Sequence, residues 1–290
     1  MPTHAFRIVN VFAEAPLAGN PLAVFEDARG MDDATMQALA LQFNLSETTF
    51  VLPSDRASAR VRIFTPTFEM PFAGHPTLGT AHVVRALREF GDDVTLEMRV
   101  GIIPVRARGD VWTLQANAPR HRAVSATRAE LAAMLVLAEA DVAPDAAAPP
   151  LWVDTGSEQL VIPLATADAV RRAAPRADLL HAHGHTGQRA MAYVFAPDPQ
   201  PPAAGGARSV ISRFFFPKHG AVVEDPGTGS ACANLGGWLI ATGAPLPQRV
   251  AIAQGDAVGR PCRLGLEVTA DRQIHVSGRV IELARGSVTL

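Results

Sequence analysis

Apolar positions recur along the chain in short β-branched runs. Phe6, Ile8 and Val9, followed by Val11 and Phe12, set a strand pattern at the start. Similar runs follow at 22–25, 48–52, 61–64, 105–108 and 112–116, punctuated by Gly, Pro and Asp. Helical patterns are few. Residues 32–43 open with acidic side chains and place Met36, Leu39, Ala40 and Phe43 on one face. Residues 127–139 form a second amphipathic segment behind Ser125 and Thr127, and pass into an Ala/Pro-rich linker at 143–150. The Pro-rich stretch 196–207, with its Gly-Gly pair, reads as a surface loop joining two strands. Strands dominate without regular β-α-β alternation, which predicts an α+β fold.

An internal repeat refines this expectation. Arg62-Ile63-Phe64-Thr65-Pro66 is followed after nine residues by Pro76, in His75-Pro76-Thr77-Leu78-Gly79-Thr80-Ala81. Arg213-Phe214-Phe215-Phe216-Pro217 is followed after eight by Pro226, in Asp225-Pro226-Gly227-Thr228-Gly229-Ser230-Ala231. Pro76, Gly79 and Ala81 match Pro226, Gly229 and Ala231 at one offset of 150, with Thr80 against Ser230. Val100-Gly101 and Pro104 echo Val258-Gly259 and Pro261 further on. Identities in one order at nearly one offset indicate two similarly folded halves.

Each copy reads as a strand, a turn, a polar residue before Pro, and small residues leading into an apolar helix, over 80–87 and 230–240. Asp225 is a favoured N-cap and Pro226 suits a first helical turn. Gly79 and Thr80, like Gly229 and Ser230, would keep the helix start compact and its amides open to a ligand. A helix apolar around most of its circumference is expected to be buried, here wrapped by strands. Two such helix N-termini brought toward one interface would bind an anion, most simply a carboxylate. His75 and Asp225 then hold equivalent positions beside it. Glu47, in Ser46-Glu47-Thr48-Thr49, sits at a helix-to-strand junction where chains often present functional side chains.

Composition narrows the function. The chain has 290 residues, 48% hydrophobic, with a formal net charge of −2, which suits about two domains at roughly 150 residues each. Near-neutral charge argues against a protein that grips nucleic acid or an acidic membrane by electrostatics. Its first residues lack the basic-then-apolar order of a signal peptide, and the long uncharged stretch 226–248 has a helical part of only roughly 20 Å, too short for a bilayer. A cytoplasmic location is expected. Two cysteines, Cys232 and Cys262, make no disulfide framework. Lys218 is the one lysine and hence the one candidate for Schiff-base chemistry; it reads as a surface turn residue.

Other patterns weigh less. His181, His183 and His185 alternate as metal ligands on a strand would, but adjacent glycines and the lack of carboxylates other than Asp178 favour a solvated loop, and no metal site is expected. Gly227-Thr228-Gly229 resembles a phosphate loop, but no lysine follows. Blander alternatives also stand beside the site readings. Glu47 fits a solvated loop carboxylate, His75 a turn residue, Asp225 a plain cap, and Gly74 and Gly229 backbone requirements.

At 44–53 (NLSETTFVLP), 72–79 (FAGHPTLG) and 224–231 (EDPGTGSA) the chain resembles the PhzF-like family of phenazine biosynthesis, related in fold to diaminopimelate epimerase. Gly19-Asn20-Pro21, Gln254-Gly255 and Gly259-Arg260-Pro261 are similar to it as well; Gly227, where the family more often has Ala, departs from it. The resemblance implies two pseudo-symmetric halves, each a β-barrel-like sheet around a central helix, with the site in the cleft between them. We expect the halves at 1–118, completed by a C-terminal strand at 279–290, and at 119–278. By resemblance Glu47 is the general acid/base, His75 and Asp225 assist proton delivery and polarise the substrate, Gly74, Gly229 and Ser230 hold its carboxylate, and Ser46 touches it. The implied activity is cofactor-free isomerisation of a small carboxylate-bearing molecule, as with trans-2,3-dihydro-3-hydroxyanthranilate, by a homodimer. Racemase relatives use one thiol from each half; those positions fall here on Ala73 and Pro226, which favours one-base proton transfer. An epimerase with Asp225 or His75 as second base, and a binding protein without turnover, remain the alternatives.

Overall fold

The computed structural model describes residues 1–88, 91–144, 146, 148–187, 189–199, 207–218 and 220–290. In chain order it contains β1 (Thr3–Val11), β2 (Asn20–Phe25), α1 (Asp33–Phe43), β3 (Glu47–Leu52), β4 (Ala59–Phe64), β5 (Glu69–Met70), α2 (Gly74–Arg88), β6 (Asp93–Met98), β7 (Gly101–Arg108) and β8 (Val111–Gln115). It continues through β9 (Arg120–Ala123), α3 (Arg128–Leu135), β10 (Leu151–Asp154), β11 (Glu158–Pro163), α4 (Ala167–Arg172), α5 (Ala177–His183) and β12 (Ala192–Pro197). The last elements are β13 (Arg208–Lys218), β14 (Ala221–Asp225), α6 (Gly229–Ala241), β15 (Gln248–Gln254), β16 (Cys262–Val268) and β17 (Ile274–Thr289). The architecture is α+β. Contacts divide it into one unit of 1–115 with 277–290 and another of 116–276.

In the first unit hydrogen bonds join β1, β2, β3, β4, β6, β7, β8 and β17 in turn, and β17 returns to β1, closing a barrel. A closed sheet has no edges, and its inward positions need filling. Helix α2 fills them, burying Leu78, Ala81, Val83 and Val84. Gly79 permits a close approach: a Cβ there would lie 2.7 Å from Leu22 Cδ2 and 3.0 Å from Val11 Cγ2. Helix α1 covers the outside. Asp32 caps it by accepting the Thr35 amide, and Asn44, at φ 50°, ends it in the left-handed region. Its Met36, Leu39 and Ala40 pack on Phe25, Phe50 and Phe64.

The second unit repeats the pairing pattern. Strands β11 and β12 are parallel, as are β2 and β3, and β13 and β15 are parallel, as are β4 and β6. Antiparallel pairs β12–β13, β13–β14 and β15–β16 correspond to β3–β4, β4–β5 and β6–β7. Helix α6 packs against β10, β11 and β16, while α3, α4 and α5 add Leu131, Met134, Val170 and Leu180 to an apolar layer with Leu160, Ile162 and Val194.

The repeat also has a side-chain signature. Arg62 on β4 lies over Phe64 at 5.0 Å, pairs with Glu69 on β5 at 2.8 Å, and reaches Asp33 on α1 at 2.6 Å. Arg213 on β13 lies over Phe215 at 4.7 Å, pairs with Glu224 on β14 at 2.7 Å, and donates to the carbonyls of Val170, Arg171 and Ala173 at the end of α4. Each arginine ties a hairpin to its covering helix.

Several expectations need correction. The first repeat helix starts at Gly74 rather than at 80, because Pro76 needs no N–H acceptor in a first turn and Thr77 closes that turn through its amide and hydroxyl onto the Ala73 carbonyl. Gly79 therefore lies beyond the helix start and serves packing. Thr80 likewise lies inside the helix, bonded to Thr49 Oγ1 at 2.8 Å. Helix α3 stops at Leu135, where Val136 adopts φ 57°. The His181 run is helical in its first part: His181 and His183 lie in the last turn of α5, while His185 follows the helix in an isolated bridge to Ala190 and meets His181 at 4.7 Å between ring centroids. Among the described residues no cluster of three or more His, Cys, Asp or Glu side chains suits a metal ion, and no helix is long and apolar enough to cross a membrane. Lys218 ends β13 opposite Ala221. Within the expected linker and loop, 145, 147 and 200–206 lie outside the described residues, as does His219.

Candidate active site

Glu47 is the first residue of β3, reached from α1 through the left-handed Asn44 and the bend holding the half-buried Ser46. Its register partner on parallel β2 is Leu22. Strand β2 begins at Asn20-Pro21, so the same end of the same strand pair brings two further polar groups to this place. His75, second residue of α2, meets them: its Nδ1 is 3.4 Å from Asn20 Nδ2, and its Nε2 is 3.4 Å from Glu47 Oε2.

Burial sets the charge of this group. His75 is buried, and desolvation pushes its imidazole pKa down to about 3, against a weaker opposing hydrogen bond to the Pro21 carbonyl. The ring is therefore neutral across the physiological range. A neutral imidazole beside a carboxyl group can donate or accept a hydrogen bond while staying uncharged. Gly74 and His75 contribute amides of the first turn of α2, for which the helix itself supplies no acceptor. Such amides, at the positive end of the helix dipole, suit a ligand anion.

In the second unit Asp225 is the last residue of β14 and not the helix cap expected for it. Pro226 and Gly227 intervene, and Thr228 takes the N-cap position of α6 with φ −109° and ψ 97°. The Thr228 hydroxyl makes no cap hydrogen bond; it donates to the Asp225 carboxylate. Gly229 and the half-buried Ser230 open α6, and Ser230 Oγ accepts from Gln159 Nε2 at 2.8 Å. Gln159 accepts in turn from Asn234 Nδ2 at 2.9 Å, and Asn234 Oδ1 receives the Thr155 amide at 2.9 Å and its hydroxyl at 2.7 Å. This buried amide network fixes the first turn of α6 against β11.

Cys232 is fully buried inside α6, Cys262 is buried at the start of β16, and burial pushes both thiols up, out of the ionising range. Neither can serve as a proton-abstracting thiolate at neutral pH. Asn20, Gln159, Thr228, Asn234 and Gln254 were not assigned roles from the sequence. Asn20 and Gln254 stood inside recognisable strings. Gln159 and Asn234 left only the trace of a lone amide within an apolar run.

Comparison with known proteins adds the following. The profile of the family described as "Phenazine biosynthesis-like protein" matches residues 9–286. The chain is 39% identical over 290 residues to a protein of Pasteurella multocida named an uncharacterized isomerase, covering 98% of this chain and 94% of that one. It is 34% identical over 312 residues to the trans-2,3-dihydro-3-hydroxyanthranilate isomerase of Pseudomonas aeruginosa, covering 99% and 100%. A crystal structure of a phenazine biosynthesis protein from Bacillus anthracis shares the fold, with a TM-score of 0.88, 24% identity and full coverage of both chains.

Proposed function

The chain belongs to the phenazine biosynthesis-like family and is an isomerase, and from that premise we propose that it moves a single proton on a small carboxylate-bearing substrate, with Glu47 as the group that carries it. The observation that supports the assignment is the 3.4 Å approach of Glu47 Oε2 to Nε2 of a neutral, buried His75 at the start of α2.

In this reading the Glu47 carboxylate takes a proton from an allylic carbon, the double bond shifts, and the same carboxyl group returns a proton to the carbon at the far end of the allyl system. Atoms and electrons balance within the substrate, and no external oxidant or reductant enters. His75 assists proton delivery by Glu47 as a neutral hydrogen-bonding neighbour. It can do so because neutral imidazole both donates and accepts. Asp225 polarises the substrate, Gly74, Gly229 and Ser230 hold its carboxylate through first-turn amides and a hydroxyl, and Ser46 contacts it. The buried, un-ionised thiols support one-base transfer over a pair of thiolates. On the family premise alone we extend the reading to a cytoplasmic homodimer without a cofactor.

The relative from Pseudomonas aeruginosa supplies the first substrate to try. Incubated with trans-2,3-dihydro-3-hydroxyanthranilate in D₂O, the protein should isomerise it and incorporate solvent deuterium at the receiving carbon. Glu47→Gln should lower that incorporation by roughly a hundredfold or more, the usual scale of a general acid/base, with binding of the substrate kept. Undiminished exchange by Glu47→Gln would remove the assignment.

A further inference from the structure

Asp225 stands at a crossing of strand end, turn and helix start, and its surroundings hold it in a particular way. The residue before it, Glu224, has a side chain only 4% exposed and is clamped by Arg213 at 2.7 Å, which fixes the strand end. The Asp225 backbone carbonyl accepts from Gln254 Nε2 at 2.9 Å. The same amide nitrogen donates to Thr228 Oγ1 at 3.0 Å. The Thr228 hydroxyl has one proton and gives it to Asp225 Oδ2. The order of donation is therefore fixed: amide to hydroxyl, hydroxyl to carboxylate.

The last residue of β15 reaches this turn because of the residue after it. Gly255 has φ +80°, and a Cβ there would lie 2.4 Å from the Pro226 carbonyl oxygen. Only glycine allows the backbone to pass so close to the 225–226 turn. Gln254 is 1% exposed and Thr228 is 9% exposed, so the chain of bonds is shielded from competing water. Hydrogen bonds to a charged acceptor in such surroundings are stronger and more directional than those at a surface.

We propose that Thr228 and Gln254 are positioning residues for Asp225: Gln254 orients the Thr228 hydroxyl, and that hydroxyl holds Asp225 Oδ2 and so fixes the direction of the carboxylate. This rests on the role given to Asp225 under the proposed function. It extends that role to two residues that need not touch substrate.

The test compares Thr228→Val, Thr228→Ser, Gln254→Leu and Asp225→Asn in turnover of trans-2,3-dihydro-3-hydroxyanthranilate, alongside the Asp225 carboxyl signal in protein labelled with ¹³C-aspartate. That signal is identified by its loss in Asp225→Asn. Thr228→Val and Gln254→Leu should each lower kcat roughly tenfold or more, the scale of a displaced catalytic group, with KM changed less than about threefold and the carboxyl signal shifted. Thr228→Ser should restore most of kcat and the native signal. In an Asp225→Asn background, Thr228→Val should cost nothing further. If Thr228→Val retains wild-type kcat and signal while Asp225→Asn is impaired, the positioning inference falls and the role of Asp225 stands. If Asp225→Asn turns over normally, the role of Asp225 falls. If the wild-type protein does not turn over this substrate, the substrate choice falls and the carboxyl signal alone decides: a shift in Thr228→Val that Thr228→Ser reverses supports positioning, and its absence overturns it.

Discussion

Nε2 of His75 faces Oε2 of Glu47 across 3.4 Å, with the histidine side chain 6% exposed and the glutamate 15% exposed. The contact is not an ion pair. Desolvation keeps the imidazole neutral, so Coulomb attraction does not lock the carboxylate in place. It arises from backbone register: β2 and β3 run parallel, and α2 enters the barrel beside their ends.

The depressed imidazole pKa makes a stability prediction with a definite sign. His75 binds a proton near pH 6.5 when unfolded and only near pH 3 when folded. Between those values the unfolded state holds the extra proton, so stability falls as pH drops below about 6.5 and the loss is complete below about 3. At pH 5 this single group should cost about 2 kcal/mol relative to pH 7.5. Urea denaturation at both pH values should show a loss smaller by that amount in His75→Asn than in the wild type. Equal losses in the two proteins would mean that His75 titrates normally.

Gly79 yields a packing prediction. A methyl group there would meet side chains of Leu22, Val11 and Val9 at 2.7, 3.0 and 3.1 Å, inside a closed barrel that cannot open an edge to relax. Gly79→Ala should destabilise by roughly 1–3 kcal/mol. Gly91→Ala, where no atom lies within 4 Å of the added Cβ, should stay within about 0.5 kcal/mol. Thermal melts of the two variants separate the cases, and equal melting temperatures would refute close packing at Gly79.

What the sequence made legible followed from local rules. The strand run at 61–64 and helix α1 were readable from apolar period and from the acidic side chains that open the helix. The repeat was readable because its Arg, Phe and Pro positions recur in order, and the structure shows what the arginines do. The start of α2 was misread because Pro76 supports a turn and a first helical turn equally well. Asp225 was misread as a cap because Asp-Pro is a favoured helix opening, while the competing use of the Thr228 hydroxyl depends on a three-dimensional neighbour. Gln159 and Asn234 are separated by 75 residues and Gln254 from Asp225 by 29. No local pattern can announce such bonds.

The Arg213–Glu224 pair should be energetically costly to break. Glu224 is almost wholly buried, and Arg213 supplies both its charge partner and the donors that close the end of α4. Arg213→Met strands a buried carboxylate and those carbonyls, and should cost roughly 3–5 kcal/mol. Arg106→Met, which breaks a pair whose side chains are 69% and 73% exposed, should cost less than about 1 kcal/mol. Chemical denaturation of both variants measures the contrast, and an Arg213→Met protein as stable as Arg106→Met would show that the buried pair contributes little.

Gln159 offers the most specific kinetic expectation. Its amide donates to Ser230 Oγ at 2.8 Å and its carbonyl receives Asn234 at 2.9 Å, so it fixes the direction in which the Ser230 hydroxyl points. If Ser230 helps to hold the substrate carboxylate, Gln159→Leu should weaken binding as Ser230→Ala does. The loss of one oriented hydrogen bond to a charged group, worth about 1.5 kcal/mol, corresponds to roughly a tenfold rise in KM. kcat should change less, because the carboxylate is held equally in ground and transition states. The double variant should show no further rise beyond Ser230→Ala alone. Steady-state kinetics of both single variants and the double, with trans-2,3-dihydro-3-hydroxyanthranilate, checks each part. A wild-type KM in Gln159→Leu beside a raised one in Ser230→Ala would show that Ser230 needs no partner to find its direction.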